Sequence, residues 1–209
     1  MSMPHDARER AELCAHLDRL GPDAPTLCGD WTTRELAAHL VSRERNPIAG
    51  PGIVVGGPFA RLTDWAMQRE ARRDHSALVD RVRSGPPLVP WGLPVLRSLL
   101  NLNEYFVHHE DVRRANGEAP RTDRPELDDA LRPVVSRMAA LQLWRSHVDV
   151  DLVDEAGTSL ARRGAAPPRI VGRPGELLLW LNGRADVADV SFEGSEAQVS
   201  ALWDADLGL

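Results

Sequence analysis

From Ala7 to Leu20 the apolar residues Ala11, Leu13, Leu17 and Leu20 recur among charged ones at helical spacing, and Gly21-Pro22 ends the run. CGDWTTRELAAHLVSRERNP follows, and its Thr32-x-x-Glu35 is a capping box: the threonine accepts from the backbone of the first turn and the glutamate reaches back. The helix it opens is expected to run to about Asn46, where Pro47 and the glycine-rich AGPGIVVGGP stop it. Phe59 to about Arg83 reads as one long amphipathic segment, with Leu62, Trp65, Ala66, Leu78, Val79 and Val82 as its buried stripe. After SGPPLVPWGLP, helices are predicted over about Val95 to Ala115 and roughly Glu126 to Trp144.

Near Ser146 the period changes. HVDVDLVDEAG alternates apolar and acidic residues, as a half-exposed strand does. TSLARRG, PPRIVGRPG and ADVADVSFEGS read as further strands, GELLLWLNGR as a compact apolar helix closing on Asn182-Gly183, and Glu196 to Asp206 as a last helix. The pattern predicts an α+β chain: a helical bundle over residues 1–145, then a small α+β domain over 146–209.

Composition narrows the function classes. A net charge of -6 leaves no basic excess to neutralise phosphates, so general nucleic-acid binding is not expected. All 25 basic residues are arginine, which excludes a Schiff-base lysine and a P-loop lysine. Cys14 and Cys28 form no CxxC pair. MSMPHDARERAEL lacks the apolar core of a signal peptide, and no run approaches the roughly 18 apolar residues of a membrane span. A cytoplasmic location is expected.

The densest chemistry lies in NEYFVHHEDVRR, Asn103 to Arg114. Helical residues four apart differ by about 40° in direction and about 6 Å in height, so Glu104 and His108 converge on one face and Asp111 follows along the same line. His109 points about 140° away from Glu104 and is not expected in the cluster. On residues alone, the pair is either a surface hydrogen bond or half of a metal site, which needs a third ligand from elsewhere. His39 on the capped helix is the candidate, although taken alone it reads better as a satisfied core or rim histidine. Two imidazoles and one carboxylate form a common catalytic zinc set with a position left open, and Asp111 could orient His108 or a bound water.

Other residues receive plainer readings. Cys14 is expected to be a buried structural thiol, and Cys28 could supply an added thiolate ligand. His75 and His147 read as surface or boundary residues. Arg72-Arg73, Arg113-Arg114 and Arg162-Arg163 read as solvated faces paired with nearby acids. Trp65, Trp91 and Trp144 are expected to fill the bundle core or rim the site. A nucleophilic hydrolase is unsupported, since there is no G-x-S-x-G elbow.

The pattern W-T-x6-H-L (Trp31, Thr32, His39, Leu40) followed by E-x3-H-x2-D (Glu104, His108, Asp111) resembles the DinB-like metal-binding superfamily, and more narrowly the mycothiol-dependent maleylpyruvate isomerase family. GELLLWLNGR, Gly175 to Arg184, is similar to a segment of that family's sterol-carrier-like second domain, departing from it at Asn182, where a second Trp or other bulky residue is usual. The resemblance implies a four-helix bundle with His39, Glu104 and His108 around a divalent ion, most often Zn2+, and Arg184 as an arginine that reaches the active site. Arg162, Arg163, Arg169 and Arg173 are competitors for that role. It implies mycothiol as a thiol cosubstrate, a small-molecule substrate, and a monomer or homodimer.

A metal-bound thiol loses its proton at neutral pH. The thiolate could add to an electron-poor double bond and leave after rotation, an isomerisation, or stay attached to an electrophile, an S-transfer. Arg184 and Asp111 are the residues assigned to catalysis beside the ligands, Arg184 holding a carboxylate or developing enolate. The alternative is a non-catalytic metal-binding protein whose C-terminal domain takes a small ligand or a partner. Its support is the leucine run of Leu177, Leu178, Leu179, Trp180 and Leu181, which reads otherwise as core.

Overall fold

The computed structural model describes residues 3–45, 58–85 and 94–203. Pro47 and the glycine-rich loop, Trp91, the side chain of Leu62 and the chain beyond Trp203 lie outside the described residues. Residue contacts divide the chain into two compact units, Met1–Ser98 with Glu104–Ala119, and Leu99–Asn103 with Pro120–Leu209. The fold is α+β.

The first unit is helical: α1 (His5–Leu20), α2 (Thr33–Arg45), α3 (Pro58–Ala71), α4 (His75–Arg83) and the C-terminal part of α5 (Pro94–Ala115). α1 stops at Gly21, whose φ of 77° with extended ψ suits a residue without a Cβ, and whose N–H donates to Leu17 O at 3.1 Å. The capping box forms on α2. Thr32 N–H donates to Glu35 Oε2 at 3.0 Å, and Arg34 N–H donates to Thr32 Oγ1 at 3.3 Å.

The single amphipathic segment expected over 59–83 is two helices. Asp74 breaks it, because its carboxylate accepts from Ser76 N–H at 3.0 Å and starts α4 anew. Leu78, Val79 and Val82 of α4 are fully buried with Leu13 and Leu17 of α1 and Leu36 of α2. Trp65 does not join them; it is 57% exposed, with Arg69 over its ring. Cys14 is buried as expected, and its thiol donates to Val79 O at 3.9 Å.

The second unit holds α6 (Pro125–Ser146), a sheet, α7 (Pro174–Leu181) and α8 (Glu196–Trp203). Pro125 occupies the first turn of α6, where its missing N–H costs nothing, and His147 closes that helix in the left-handed region at φ 59°. Strands β1 (Val150–Val153), β2 (Ser159–Arg163), β3 (Arg169–Gly172) and β4 (Val190–Glu193) lie in the order β2-β1-β3-β4. β1 runs parallel to β3 and antiparallel to β2, and β4 is antiparallel to β3.

β1 is not half-exposed. All four of its residues are buried, including Asp151, which accepts from Ser159 Oγ at 2.5 Å. A central strand needs both faces covered, and an acid survives there only when paired. α7 packs on α6 and β3, and Leu177, Leu178, Leu179, Trp180 and Leu181 are all within 1% of full burial. The leucine run is core. No helix among the described residues is long and apolar enough to cross a membrane.

Candidate metal centre

α2 supplies His39, and α5 supplies Glu104 and His108 one turn apart. Glu104 Oε1 is the meeting point: His39 Nε2 lies 2.9 Å from it and His108 Nε2 3.3 Å. The two imidazoles stand edge-to-face with centroids 5.1 Å apart, and the Trp31 ring walls His39 at 5.2 Å. The side chains of His39, Glu104 and His108 are only 14%, 16% and 11% exposed, so their polar atoms depend on one another rather than on water.

The opposite edge of the His108 ring is held as well. Its Nδ1 lies 2.9 Å from Asp111 Oδ2, a fully buried carboxylate that can only accept, so Nδ1 carries a proton. Cys28 Sγ donates to the same Oδ2 at 3.0 Å, and the loop before α2 is pinned there by Leu27 N–H on Asp111 O at 3.2 Å. Cys28 therefore sits on the Nδ1 side of His108. It supports the ring from behind rather than adding a fourth donor beside His39 and Glu104. Cys28, His108 and Asp111 still form a metal-capable group of their own.

Arg43, one turn after His39, places Nε 3.2 Å from Glu104 Oε2. Burial alone would push the Glu104 carboxyl up, but the Arg43 charge and the hydrogen bonds from His108 and His39 prevail and hold it well below the usual carboxylate range. Burial lowers His39 below the ordinary imidazole value against the pull of Glu104. Burial also acts to lower His108, but Asp111, Cys28 and Glu104 outweigh it and raise His108 well above that value.

The donor set fits a first-row divalent ion. One atom each from His39, Glu104 and His108 lies within 4.8 Å of the others. Ligands about 2.1 Å from a tetrahedral ion stand about 3.4 Å apart, so contacts of 2.9 and 3.3 Å need only a small opening. The proton held by Asp111 on Nδ1 leaves Nε2 for the ion, the carboxylate–histidine arrangement common around zinc.

The other residues singled out in the sequence have partners of their own. His109 turns to α1, as the helical angle requires. Arg184 belongs to the second unit, where its guanidinium donates to Asn182 O. Arg113 and Arg114 are not solvated: their side chains are 11% and 6% exposed and clasp Glu110, itself 1% exposed, at 2.7 and 2.8 Å. Trp144 fills no core, being 74% exposed. Arg43 was not singled out in the sequence, although it lies four residues after His39 and so on the same helix face.

The fold is that of mycothiol-dependent maleylpyruvate isomerase. One crystal structure of that enzyme covers 90% of this chain and 90% of its own, with a TM-score of 0.58 and 15% identity. A histidine-to-alanine mutant of the isomerase covers 89% and 90%, with a TM-score of 0.57 and 17% identity. No family model and no curated protein matches the chain. Its structural neighbours are thus the mycothiol-dependent maleylpyruvate isomerases that the sequence resembles, and at this identity they establish the fold.

Proposed function

We propose that the chain is a divalent-metal protein, with Zn2+ as its ion, that works with a small-molecule thiol such as mycothiol as an isomerase or S-transferase on small electrophilic or unsaturated acids. In this reading the helical part is a DinB-like four-helix bundle, the sheet part is sterol-carrier-like, and the protein is cytoplasmic. The observation that carries it is the convergence of His39, Glu104 and His108 on one point, with Arg43 and Asp111 fixing the outer atoms.

His39, Glu104 and His108 hold the ion. When bound, such an ion supplies Lewis acidity that lowers the pKa of a thiol meeting it. Glu104 stays anionic beside Arg43 and His39 stays neutral at pH 7, the states that ligands require, while His108, raised above the ordinary imidazole value, gives up its Nε2 proton as the ion binds. Asp111 keeps the His108 ring in one tautomer. Arg184 is the guanidinium proposed to recognise the substrate carboxylate, by the paired hydrogen bonds its planar fork allows. The rival ligand-carrier reading needs Leu177–Leu181 to line a cavity, and their complete burial supports packing instead.

The test uses the full chain stripped of metal and then reconstituted with Zn2+, assayed with mycothiol for turnover of maleylpyruvate and of generic electrophiles. Activity is expected only with both metal and thiol, and is lost in His39→Ala, Glu104→Ala and His108→Ala together with the bound ion. Absence of metal-dependent turnover with every substrate removes the enzyme reading. Retention of the ion by all three variants removes the centre.

A further inference from the structure

Residues 24–32, between α1 and α2, form no regular element, yet the segment is tied down at several points. Pro25 pairs with Thr32 in an antiparallel bridge, and Asn116 Nδ2 donates to Pro25 O at 3.1 Å. Residues 28–31 make a tight turn, closed by Trp31 N–H on Cys28 O at 3.1 Å and made possible by Gly29 at φ 58°. Thr26 Oγ1 accepts from Cys28 N–H at 3.2 Å and donates to Trp31 O at 2.7 Å. Both backbone groups of Trp31 are therefore taken, and its indole has only the side-chain torsions left to vary.

The turn grips the centre from two sides. Cys28 lies behind His108, on Asp111, while the Trp31 ring lies against His39 with 5.2 Å between centroids and a tilt of 41°. The His39 ring stands 5.1 Å from that of His108, so the three rings follow one another along the edge of the centre. Trp31 is partly exposed, unlike Trp180, whose ring is packed in a core. An aromatic face left partly open beside ligand-type side chains is a surface for a bound molecule to lie on.

We propose that Trp31 is the specificity-determining wall of the His39–Glu104–His108 centre, and that it selects flat, conjugated carboxylic acids over saturated ones of the same charge. The inference rests on the function proposed above and names the feature of the substrate that the chain reads. A molecule that enters beside His39 meets the indole, because imidazole and indole are themselves in contact there. A planar conjugated acid lays its whole π-face on the ring, whereas a saturated chain is puckered and offers only a few C–H groups at a time. The tied-down turn sharpens the choice, since a wall already in place loses little entropy on binding.

The full chain, reconstituted with Zn2+, is titrated calorimetrically with fumarate and with succinate, diacids of equal charge that differ in the double bond. No thiol is present, so neither reacts. The wild type is expected to bind fumarate about 3- to 10-fold more tightly, and Trp31→Leu to bind the two alike. Trp31→Phe retains a smaller ring and is expected to fall between them, which keeps the comparison open should Trp31→Leu fail to fold. In turnover, KM for maleylpyruvate is expected to rise about 3- to 10-fold in Trp31→Leu with kcat within about 2-fold of the wild type. Competition with a chromophoric chelator should find the Zn2+ affinity of both variants unchanged. A wild type that binds Zn2+ without discriminating, or a preference that survives undiminished in the variants, overturns the proposal. So does a Zn2+ affinity that falls with the ring, because Trp31 would then only hold His39 in place. Absence of Zn2+ from the wild type is instead the failure of the centre.

Discussion

Arg43 Nε lies 3.2 Å from Glu104 Oε2, while Glu104 Oε1 faces His39 and His108. One oxygen of the carboxylate is thus occupied by a guanidinium and the other is presented to the imidazoles. Arg43→Gln is expected to weaken Zn2+ binding about 10-fold or more, the usual cost of losing an outer partner of a metal ligand. Arg43→Lys should recover part of the loss, since it keeps the charge but not the planar fork. Competition with a chromophoric chelator measures both, and an unchanged affinity in Arg43→Gln contradicts the role.

Asp111 and Cys28 meet on the far side of His108 with unequal duties. Asp111→Asn can offer Nδ1 a donor instead of an acceptor, which turns the ring to the wrong tautomer, and about 10- to 100-fold in affinity should go with it. Cys28→Ala removes only a hydrogen bond to Asp111, so its effect should be smaller. Equal losses in the two variants, by the same competition assay, would show that the thiol is itself a ligand.

The two thiols should differ sharply in reactivity. Cys14 is fully buried and its pKa is pushed up to about 12, chiefly by burial, whereas Cys28 is partly exposed. At pH 8 the Cys14 thiolate is present at about one part in ten thousand, so alkylation of the native protein should mark Cys28 alone. Peptide mass spectrometry after a timed iodoacetamide pulse checks this, and comparable labelling of Cys14 contradicts it.

The same burial makes the fold sensitive to alkali. Cys14 rises from about 9.0 to about 12 on folding, and Tyr105 is raised too, by burial and by neighbouring Glu44. Groups raised in this way favour the folded state while protonated. The Cys14 contribution is complete below pH 9 and is lost as pH climbs through about 12, and that of Tyr105 is lost at higher pH still. Urea melts from pH 8 to 11 should show stability falling over that window, with a shallower fall in Cys14→Ala. A flat profile would rule the linkage out.

Burial separates two tryptophans that look alike in composition. Trp180 is 1% exposed and Trp144 is 74% exposed. Trp180→Ala should cost about 3–5 kcal/mol and Trp144→Ala about 0.5 kcal/mol or less, compared by urea denaturation. A large loss in Trp144→Ala would mean that its ring is covered in the working protein.

Much of this was legible in the sequence because local rules and tertiary demands agreed. The Thr32–Glu35 box starts α2 in the structure, and the change of period near Ser146 does mark the passage from helix to strand. Glu104 and His108 meet because helical spacing alone brings them together, and His39 reaches them from α2. The failures have common causes. Asp74 lay inside the segment read as one long helix, yet its carboxylate can end one helix and begin another. Arg113 and Arg114 pair with an acid as expected, but their side chains are largely covered rather than solvated, and Asp151, read as exposed from its charge, is buried against a hydroxyl, which no periodicity reveals. Trp65 was placed in a buried stripe by its helical spacing, and both it and Trp144 were read as filling the core or rimming the site, but both rings are largely exposed. The outer support by Arg43 and Cys28 depends on where α2 and its preceding loop meet α5, and that is tertiary information.

α5 has one more consequence. The second unit takes Leu99–Asn103 from within it, and Asn103 Oδ1 receives Asn182 Nδ2 at 3.3 Å. A fragment beginning at Pro120 would therefore lack a helical turn of its own unit, and one ending at Ser98 would forfeit Glu104, His108 and His109. No single scissor cut in this polypeptide yields two self-sufficient halves.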